Sequence, residues 1–327
     1  MSLGSFLRLA AHIQLLPVLE SGEETLVGGQ AVMEGVMMRA PHSYCVAVRK
    51  PTGEIVTEES MLHRVSEKYP IFKYPVLRGI GTLGQAMWLG VKALKFSANT
   101  IVEDEVKDKE GKSKEIPGWL MNANVALSIV FFIAMYKLAP LFLTTQLQKW
   151  YPGIHGRIAF NFVDGIIRIA IFLGFLFLLS RAKDIHRVFE YHGAEHRVVF
   201  NFESGKPVSV DNAQQFVTWH PRCGTSFLVV VMVISMLIYM VLPIDSFIGR
   251  LLIRIVLLPP IVGISYEVIR FAAKRRGGLM AVLTKPGLWL QRITTQPPSN
   301  DQTDIAIHAL DGAMKLEKAQ GGELVIA

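Results

Sequence analysis

The amino-acid sequence predicts an α-helical polytopic membrane protein with about four transmembrane helices and a small cytoplasmic β unit. Of the 327 residues, 51% are hydrophobic and only 19% are charged, which is too apolar for an average soluble enzyme. The apolar residues collect in blocks of about 20, the length that a helix needs to cross the hydrocarbon of a bilayer. Nearer the amino terminus, an alternating pattern interrupted by turn residues is typical of short strands.

The first element is a modest apolar pattern over residues 1–25 without a signal-peptide cleavage site, which we interpret as a surface helix. Residues 26–74 form the predicted β unit. Its two clearest strands, residues 44–50 and 54–60, flank a Lys-Pro-Thr-Gly sequence with the Pro and Gly positions of a type I turn. Residues 28–39 are predicted to add a third strand.

Residues 75–101 are predicted to form an amphipathic helix, because apolar residues recur at helical spacing on one stripe. The stripe consists of Ile80, Leu83, Met87, Val91, Leu94 and Ala98. Two interpretations stay open: the helix lies in the membrane interface, or it is a core helix of the β unit. Residues 102–121, with mixed charges, are interpreted as a solvated linker.

Two hairpins of apolar helices follow, at residues 122–180 and 226–272. Within them, the predicted spans are residues 122–147, 158–180, 226–243 and 248–272. Between the hairpins, residues 181–225 carry the cations Arg181, Lys183, Arg187, Arg197, Lys206 and Arg222. The positive-inside rule therefore places this segment and both termini in the cytoplasm. Residues 273–327 are predicted to be a cytoplasmic tail that ends in a polar amphipathic helix.

Charge and cysteine content limit the compartments and the partners that are compatible with the sequence. The net charge is +7, and Lys and Arg cluster at the ends of the apolar blocks, where the anionic lipids of the inner leaflet attract them. We therefore predict no nucleic-acid binding. Cys45 and Cys223 both fall in segments placed in the cytoplasm, where thiols stay reduced, and we predict no disulfide. The predicted partner is the lipid bilayer, and the sequence sets no oligomeric state.

The strongest chemical signal is the H-x-x-E-H pattern formed by His192, Glu195 and His196, followed by His220 and Cys223 with His-x-x-Cys spacing. Residues four apart lie on one face of a helix, so two imidazoles at this spacing are able to bind one ion. This is the order found in inverzincins, in which the carboxylate takes a proton from a metal-activated water.

Three interpretations of these residues stay open. In the catalytic one, His192, His196 and a third ligand bind zinc or a similar divalent ion and leave one position for water, with Glu195 as general base. The third ligand would be His220, Cys223 or a carboxylate such as Glu267. In the structural one, both motif histidines, His220 and Cys223 close a tetrahedral site. In the third, the histidines are hydrogen-bonded polar residues and Cys223 is a small buried hydrophobe.

Further candidates are charged residues in apolar surroundings. Glu34, predicted to share a strand face with three apolar side chains, needs Arg39, Arg78 or the metal as its partner. Arg222 lies just before the predicted third span, and Glu267 lies near the cytoplasmic end of the fourth. Lys137, Asp164, Arg168, Arg254 and Glu267 fall inside spans, where charge is costly. We predict pairing of Asp164 with Arg168 and of Glu267 with Arg270, and expect Lys137 and Arg254 to reach for headgroups or partners.

Four blocks of this sequence resemble the signature blocks of the YqhQ-type bacterial membrane proteins. They are GGQAVMEGVMMR at residues 28–39, YPVLRG at 74–79, YHGAEH at 191–196 and HPRCGTSF at 220–227. The resemblance extends over roughly residues 26–290 and implies a bacterial inner-membrane protein. That family is a domain of unknown function, sometimes labelled a predicted metal-dependent enzyme, so the resemblance implies no reaction or substrate.

Together these observations predict a metal-dependent hydrolase at the cytoplasmic face of the inner membrane. His192, His196 and either His220 or Cys223 would be the ligands and Glu195 the base, with a peptide or a lipid-linked ester as substrate. The alternative is a non-catalytic scaffold or transport component with a structural metal site.

Overall fold

A computed structural model describes residues 27–105, 118–220, 223–274 and 278–319. Within these ranges the protein is mostly helical and has one small antiparallel sheet, which confirms this part of the predicted fold class. The predicted surface helix at residues 1–25, most of the predicted linker, and Arg222 lie outside the described residues.

The sheet is a four-stranded antiparallel meander whose strands follow the order of the chain: β1 (Gly28–Val32), β2 (Gly35–Arg39), β3 (Ser43–Arg49) and β4 (Ile55–Met61). β3 and β4 correspond to the two clearest predicted strands. In the turn between them, the N–H of Gly53 donates to the carbonyl of Lys50 at 2.9 Å. Gly53 has a φ of 91°, a conformation that glycine adopts at no steric cost.

The predicted third strand over residues 28–39 is instead a hairpin of β1 and β2. Val32 pairs with Gly35, which leaves Met33 and Glu34 as a two-residue turn, and Glu34 has a positive φ of 51°. Alternation of side chains along β1 and β2 resembles that of one long strand, and Met-Glu is not a typical hairpin turn sequence. Glu34 therefore lies at the tip of the hairpin and not on an inward face.

The α-helices of the described residues are α1 (Val65–Lys68), α2 (Leu77–Glu105), α3 (Gly118–Ile133), α4 (Ala139–Trp150), α5 (Arg157–Leu179), α6 (Lys183–Glu203), α7 (Val210–Ala213), α8 (Gly224–Val241), α9 (Phe247–Val256), α10 (Leu258–Lys274), α11 (Gly278–Thr294) and α12 (Asn300–Ala319). A π-helical segment, Ala134–Leu138, joins α3 to α4. Short 3₁₀ turns occupy Pro70–Lys73 and Pro152–Ile154.

Helices cover both faces of the sheet. α6 and α12 pack on one face, where their apolar side chains join those of β2 and β3 in one buried cluster. α2 packs on the other face through Leu89 and Ala93, which contact a second cluster that contains Tyr44 and Val46. The sheet thus forms the middle of a three-layer unit, the arrangement that lets a small sheet bury both of its faces.

α12 lies within the predicted tail, yet it is a central element of this unit. Its buried face combines Ile305, Leu310 and Met314 with small residues, including Ala306, Ala309 and Ala313, which are fully buried. At Gly312 the helix approaches β3 so closely that an added Cβ would lie 2.6 Å from the Sγ of Cys45. Because alanine and glycine contribute little hydrophobicity, the sequence gives this helix the composition of a polar tail helix.

α2 follows the second interpretation, a core helix of the β unit, and its location in the membrane interface stays a prediction. Leu89 and Ala93, which lie off the predicted stripe, are fully buried against the sheet. Met87, Val91 and Leu94, which lie on the predicted stripe, are 41–61% exposed. The helix is therefore a core helix of the β unit that also presents an apolar face outward.

Three helical stretches of the described chain are long and apolar enough to cross a membrane: Gly118–Trp150, Arg157–Leu179 and Gly224–Val241. α9 and the Leu258–Phe271 part of α10 meet the same criterion together, with a bend of 51° at the break. These stretches coincide with the four predicted spans. They expose many large apolar side chains, as expected of helices in contact with lipid, and are compatible with a membrane protein.

Charged residues within the apolar helices form a buried network that we call the Asp164 cluster: Asp164, Arg168, Arg254 and Asn161. The predicted i, i+4 pair of Asp164 and Arg168 is present. Arg254, which we expected to reach for headgroups or partners, donates to the Oδ1 of Asp164 at 2.6 Å and to the Oδ1 of Asn161 at 3.0 Å. Lys137 approaches the hydroxyl of Tyr239 at 3.4 Å.

Candidate metal centre

One face of α6 presents the motif residues. Tyr191, Ala194 and Val198 on the opposite side pack into the core of the three-layer unit and fix the rotation of the helix. His192 and His196 then face the loop that precedes α8 and the end of α11, and their ring centroids lie 4.4 Å apart. The structure thus places the two imidazoles side by side, as their spacing predicts.

Both histidine rings are oriented by backbone carbonyls. The Nδ1 of His192 lies 2.8 Å from the carbonyl oxygen of Thr294, and the Nδ1 of His196 contacts the carbonyl oxygen of Thr218. A carbonyl oxygen only accepts hydrogen bonds, so each Nδ1 carries the proton and each Nε2 keeps its lone pair. This is the outer-shell arrangement that prepares a histidine to bind a metal through Nε2.

Gly193 allows this close approach. A Cβ at this position would overlap the carbonyl oxygen of Gln296, so only glycine lets residues 294–296 run against α6. The N–H of Gln296 donates to the carbonyl of Phe189 at 2.9 Å and holds the segment there. The glycine inside the motif therefore has a steric reason, namely that Thr294 must reach the ring of His192.

Cys223 supplies a third ligand atom. It is the residue before the first turn of α8, and its Sγ lies 3.3 Å from the Nε2 of His192. Ligand atoms of His192, His196 and Cys223 all lie within 4.8 Å of one another. Sulfur and nitrogen ligands of one tetrahedral zinc ion would lie about 3.5 Å apart, so the 3.3 Å distance between Cys223 and His192 fits a single ion and the widest separation would have to shorten.

Burial favours the neutral form of the His196 and His220 imidazoles. His196 is 2% exposed, and its burial, more than any neighbouring charge, lowers its pKa to about 4. Burial likewise lowers the pKa of His220 to about 4. Neutral imidazole is the form that binds metal ions, so these rings do not need to lose a charge before they do so.

Glu195 lies beside the ligand atoms. Its Oε2 is 3.5 Å from the Nε2 of His196 and 4.0 Å from the Nε2 of His192, and the residue is only 6% exposed. A Cβ added at Gly29 of β1 would come within 2.7 Å of the Cγ of Glu195, so the first strand leaves room for this side chain. The carboxylate is therefore a packed part of the centre.

His220 is close to the centre but directed elsewhere. Its ring centroid lies 5.6 Å from that of His196, while its Nε2 lies 3.5 Å from the Oε2 of Glu203. The side chain of Gln291 on α11 binds both the N–H and the carbonyl of His220, at 2.7 and 2.8 Å. Of the described residues, the group of mutually close ligand atoms contains Cys223 and not His220.

The carboxylates proposed from the sequence as ligands or metal partners have other partners. Glu34 accepts a bidentate pair from Arg187, with one contact of 2.7 Å, and a hydrogen bond from Tyr191 at 3.2 Å. Neither Arg39 nor Arg78 is its partner. Glu34 therefore fastens the tip of the β1–β2 hairpin to α6, one helical turn before the motif.

Glu267 also has partners outside the metal centre. It accepts hydrogen bonds from Arg78, at 2.6 Å to Oε1, and from the N–H of Val76 at 3.2 Å, in a pair that joins α10 to the start of α2. Arg270, its predicted partner, contributes only through its charge. Arg39 is half-buried, and this burial lowers its pKa, with a further contribution from the charge of Arg64.

No sequence pattern indicates several of the groups that build the centre. The carbonyls of Thr218 and Thr294 are backbone atoms, so no side-chain pattern reveals them. Gln291 lies 71 residues after His220, in a stretch predicted as a tail. The glycine between the motif histidines was the one visible sign, because a glycine inside a buried helix often marks a close backbone approach.

Comparison with known proteins agrees with the resemblance of the signature blocks. A family model described as a protein of unknown function, DUF1385, matches residues 74–316. The chain belongs to this family. It is also 34% identical over 298 residues to the uncharacterized protein YqhQ of Bacillus subtilis strain 168, an alignment that covers 89% of this chain and 92% of that protein. No solved structure matches the chain.

Proposed function

We propose that this member of the DUF1385 family is a metal-dependent hydrolase that acts at the cytoplasmic face of the bacterial inner membrane. One observation carries the proposal: the Nε2 atoms of two carbonyl-oriented histidines and the Sγ of Cys223 converge within 4.8 Å. As a thiolate, Cys223 would join the two imidazole lone pairs in binding a cation, in place of the 3.3 Å hydrogen bond between its Sγ and the Nε2 of His192.

Two imidazoles and a thiolate favour zinc among the common divalent ions. Three protein ligands leave one of four tetrahedral positions for water or substrate, which is the pattern of catalytic zinc sites. The chemistry that such an ion supplies is Lewis acidity, which activates water near neutral pH and polarises a carbonyl group.

The protein's own groups divide the remaining work. Glu195 is placed to accept a proton from the attacking water and to pass it to the leaving group, because its carboxylate lies beside both histidine Nε2 atoms. The carbonyls of Thr218 and Thr294 keep the rings from rotating. The packing of Glu195 against Gly29 limits the directions that the carboxylate can take.

The proposed location follows from the apolar helices and the charge distribution. Four helical stretches, the bent pair included, have the length and composition of spans. By the positive-inside rule, the cation-rich segment between the second and the third supports a cytoplasmic location for α6 and the centre. Substrates that reach such a place are peptides or lipid-linked esters at the membrane surface.

The test is metal analysis of the purified full-length protein combined with hydrolysis of two probes, p-nitrophenyl butyrate and fluorescein-labelled casein. We expect one zinc per chain. Glu195→Gln should keep the zinc and lose hydrolysis of whichever probe is cleaved, because the substitution removes the base but no ligand. His192→Ala should lose both. Glu195→Gln activity equal to that of the unmodified protein would exclude the proposed base.

The alternative function is a scaffold or transport component with a closed structural site. The observation in its favour is the short distance between the rings of His196 and His220, 5.6 Å between centroids. In that case His220→Ala should release the metal as completely as His192→Ala does. Under the hydrolase proposal, His220→Ala keeps the metal.

A further inference from the structure

A pocket of about 530 Å³ opens where α5 ends and α6 begins, beside the end of α11. Three cationic side chains line it, those of Arg181, Lys183 and Arg292. Phe177 and Ile293 add an apolar wall. None of these residues has a part in the proposed hydrolytic step, so the pocket is a second feature that needs its own account.

The three cations are free to bind an anion. In the part of the chain that the structure describes, no carboxylate forms an ion pair with Arg181, Lys183 or Arg292, and all three residues are exposed. The guanidinium of Arg181 lies 4.7 Å from the ring centre of Phe177, and that of Arg292 lies 5.2 Å from that of Trp219. Stacking on a ring orders a guanidinium and leaves its N–H groups available.

The nearby carboxylates do not neutralise this charge. Glu190 faces His186 at 3.7 Å and accepts a hydrogen bond from Gln302 at 2.7 Å. Asp184 lies in the first turn of α6, next to Lys183, and is not part of the lining. Three positive charges therefore meet in one concave place, which attracts a group with more than one anionic oxygen.

The position of the pocket indicates where its ligand comes from. α5 is one of the apolar stretches, and near its end Phe177 and Leu178 are 49% and 70% exposed. The cations follow within the next residues, as they do where a span meets the headgroup layer. A ligand with a phosphate in the pocket and acyl chains along α5 would meet both surfaces at once.

We propose that this pocket binds the phosphate-bearing headgroup of an anionic phospholipid, with Arg181, Lys183 and Arg292 contacting the phosphate. Free phosphate shares the same chemistry, but it would leave the exposed side chains of Phe177 and Leu178 without a partner. The proposal rests on the proposed membrane location and is independent of the metal centre.

Native mass spectrometry of the delipidated, full-length protein in detergent tests the proposal. The probes are phosphatidylglycerol and phosphatidylcholine with identical acyl chains. Arg181→Gln, Lys183→Gln and Arg292→Gln combined should weaken phosphatidylglycerol binding about 100-fold, because each cation near a headgroup contributes a factor of about five. Phosphatidylcholine binding should change much less.

A matched variant with Lys68→Gln, Lys315→Gln and Lys318→Gln removes the same number of exposed charges far from the pocket and should bind phosphatidylglycerol normally. If both triple variants lose affinity equally, only net charge matters and the pocket proposal is wrong. If the pocket variant fails to fold, Lys183→Gln alone should weaken binding about fivefold, and unchanged affinity would contradict the proposal.

A second arm separates the two sources of phosphate. Excess inorganic phosphate should not displace phosphatidylglycerol from the unmodified protein, because it cannot contact the apolar wall. Displacement by inorganic phosphate would make free phosphate the ligand and overturn the lipid proposal. Metal content, measured on the same samples, should be equal in all variants, so a failure of the hydrolase proposal would be seen separately.

Discussion

The Asp164 cluster and the candidate metal centre are both buried and polar, but their groups are matched in different ways. In the cluster, each carboxylate oxygen of Asp164 faces an arginine, and Arg168 also donates to the Oγ of Ser235 at 2.9 Å. In the metal centre, one possible ligand atom from each of His192, His196 and Cys223 lies within 4.8 Å of the others, and the Sγ of Cys223 approaches the Nε2 of His192 at 3.3 Å. In the first arrangement the protein supplies a charged partner for each carboxylate oxygen, although the buried Nε of Arg168 has no hydrogen-bond partner, whereas the second gathers atoms that a cation can bind.

This difference separates a structural network from a binding site. Ionisable residues inside apolar helices are functional candidates by default, and the sequence alone gives the Asp164 cluster the same standing as the histidines. The contacts distinguish the two sites. Both carboxylate oxygens of Asp164 already accept hydrogen bonds from arginines, so they are not directed at a substrate. We therefore expect substitutions in the cluster to act on stability and substitutions in the centre to act on metal binding.

The largest effect on stability should come from Asp164→Asn. This change leaves Arg168 and Arg254 buried without a counter-charge, which costs about 3–5 kcal/mol of unfolding free energy. Denaturation in detergent, followed by circular dichroism, measures it. Ser235→Ala, which removes one neutral hydrogen-bond partner, should cost only about 1 kcal/mol. Equal losses in both variants would show that the ionic pairing is not what stabilises the cluster.

The sequence predicts which residues of each site share a helix face, but it does not predict which partners come from distant helices. The i, i+4 spacings of Asp164 with Arg168 and of His192 with His196 correctly place each pair on one helix face. Periodicity does not say which partner comes from a distant helix. The role of Arg254 depends on the packing of α9 against α5, which lies 90 residues earlier in the chain.

The fold shows the same limit. The apolar helices follow directly from composition, whereas α12 has the composition of a tail because much of its buried face is alanine, glycine or polar residues. Small residues let a helix approach its neighbours closely but add little hydrophobicity. A search for apolar periodicity therefore underestimates how much of such a helix is buried. Likewise, the sequence predicts Glu34 on a strand face, because Met-Glu is not a typical turn sequence and the hairpin is not recognised.

Loss of the thiolate should abolish tight metal binding while leaving the apo fold intact. Cys223→Ser removes one of three proposed ligands, and we expect zinc affinity to fall more than about 100-fold, beyond the range for loss of an outer-shell partner. Competition with a zinc chelator measures the affinity. The unfolding free energy of the metal-free protein should change little. A variant with normal zinc affinity would remove Cys223 from the ligand set.

A smaller effect is expected from Gly193→Ala, which acts on the second shell. The added methyl group pushes the carbonyl of Gln296 away from α6 and with it the carbonyl that orients His192. We expect a stability loss of about 1–3 kcal/mol and a 10- to 100-fold loss of zinc affinity.

Gly84→Ala is the matched control, because no atom lies within 4 Å of a Cβ added there. It should leave zinc affinity unchanged and stabilise α2 by about 1 kcal/mol. If Gly193→Ala binds zinc like this control, the carbonyl of Thr294 does not position the histidine.

The smallest effect should follow Arg187→Gln. This side chain pairs with Glu34 at the surface, and the two side chains are 52% and 29% exposed, so solvent screens the attraction. We expect a loss of less than about 1 kcal/mol and no change in zinc affinity. Chemical denaturation of this variant beside Asp164→Asn compares a screened ion pair with a buried one. A loss as large as that of Asp164→Asn would contradict the comparison.

The most direct test of the central claim is zinc-edge X-ray absorption spectroscopy of the purified protein. The account predicts one sulfur ligand at about 2.3 Å and two imidazole nitrogens at about 2.0 Å, with the fourth position filled by a light atom without imidazole scattering. A third imidazole in the spectrum would identify the closed site with His220. Absence of a sulfur ligand, or of bound zinc, would contradict the proposed centre.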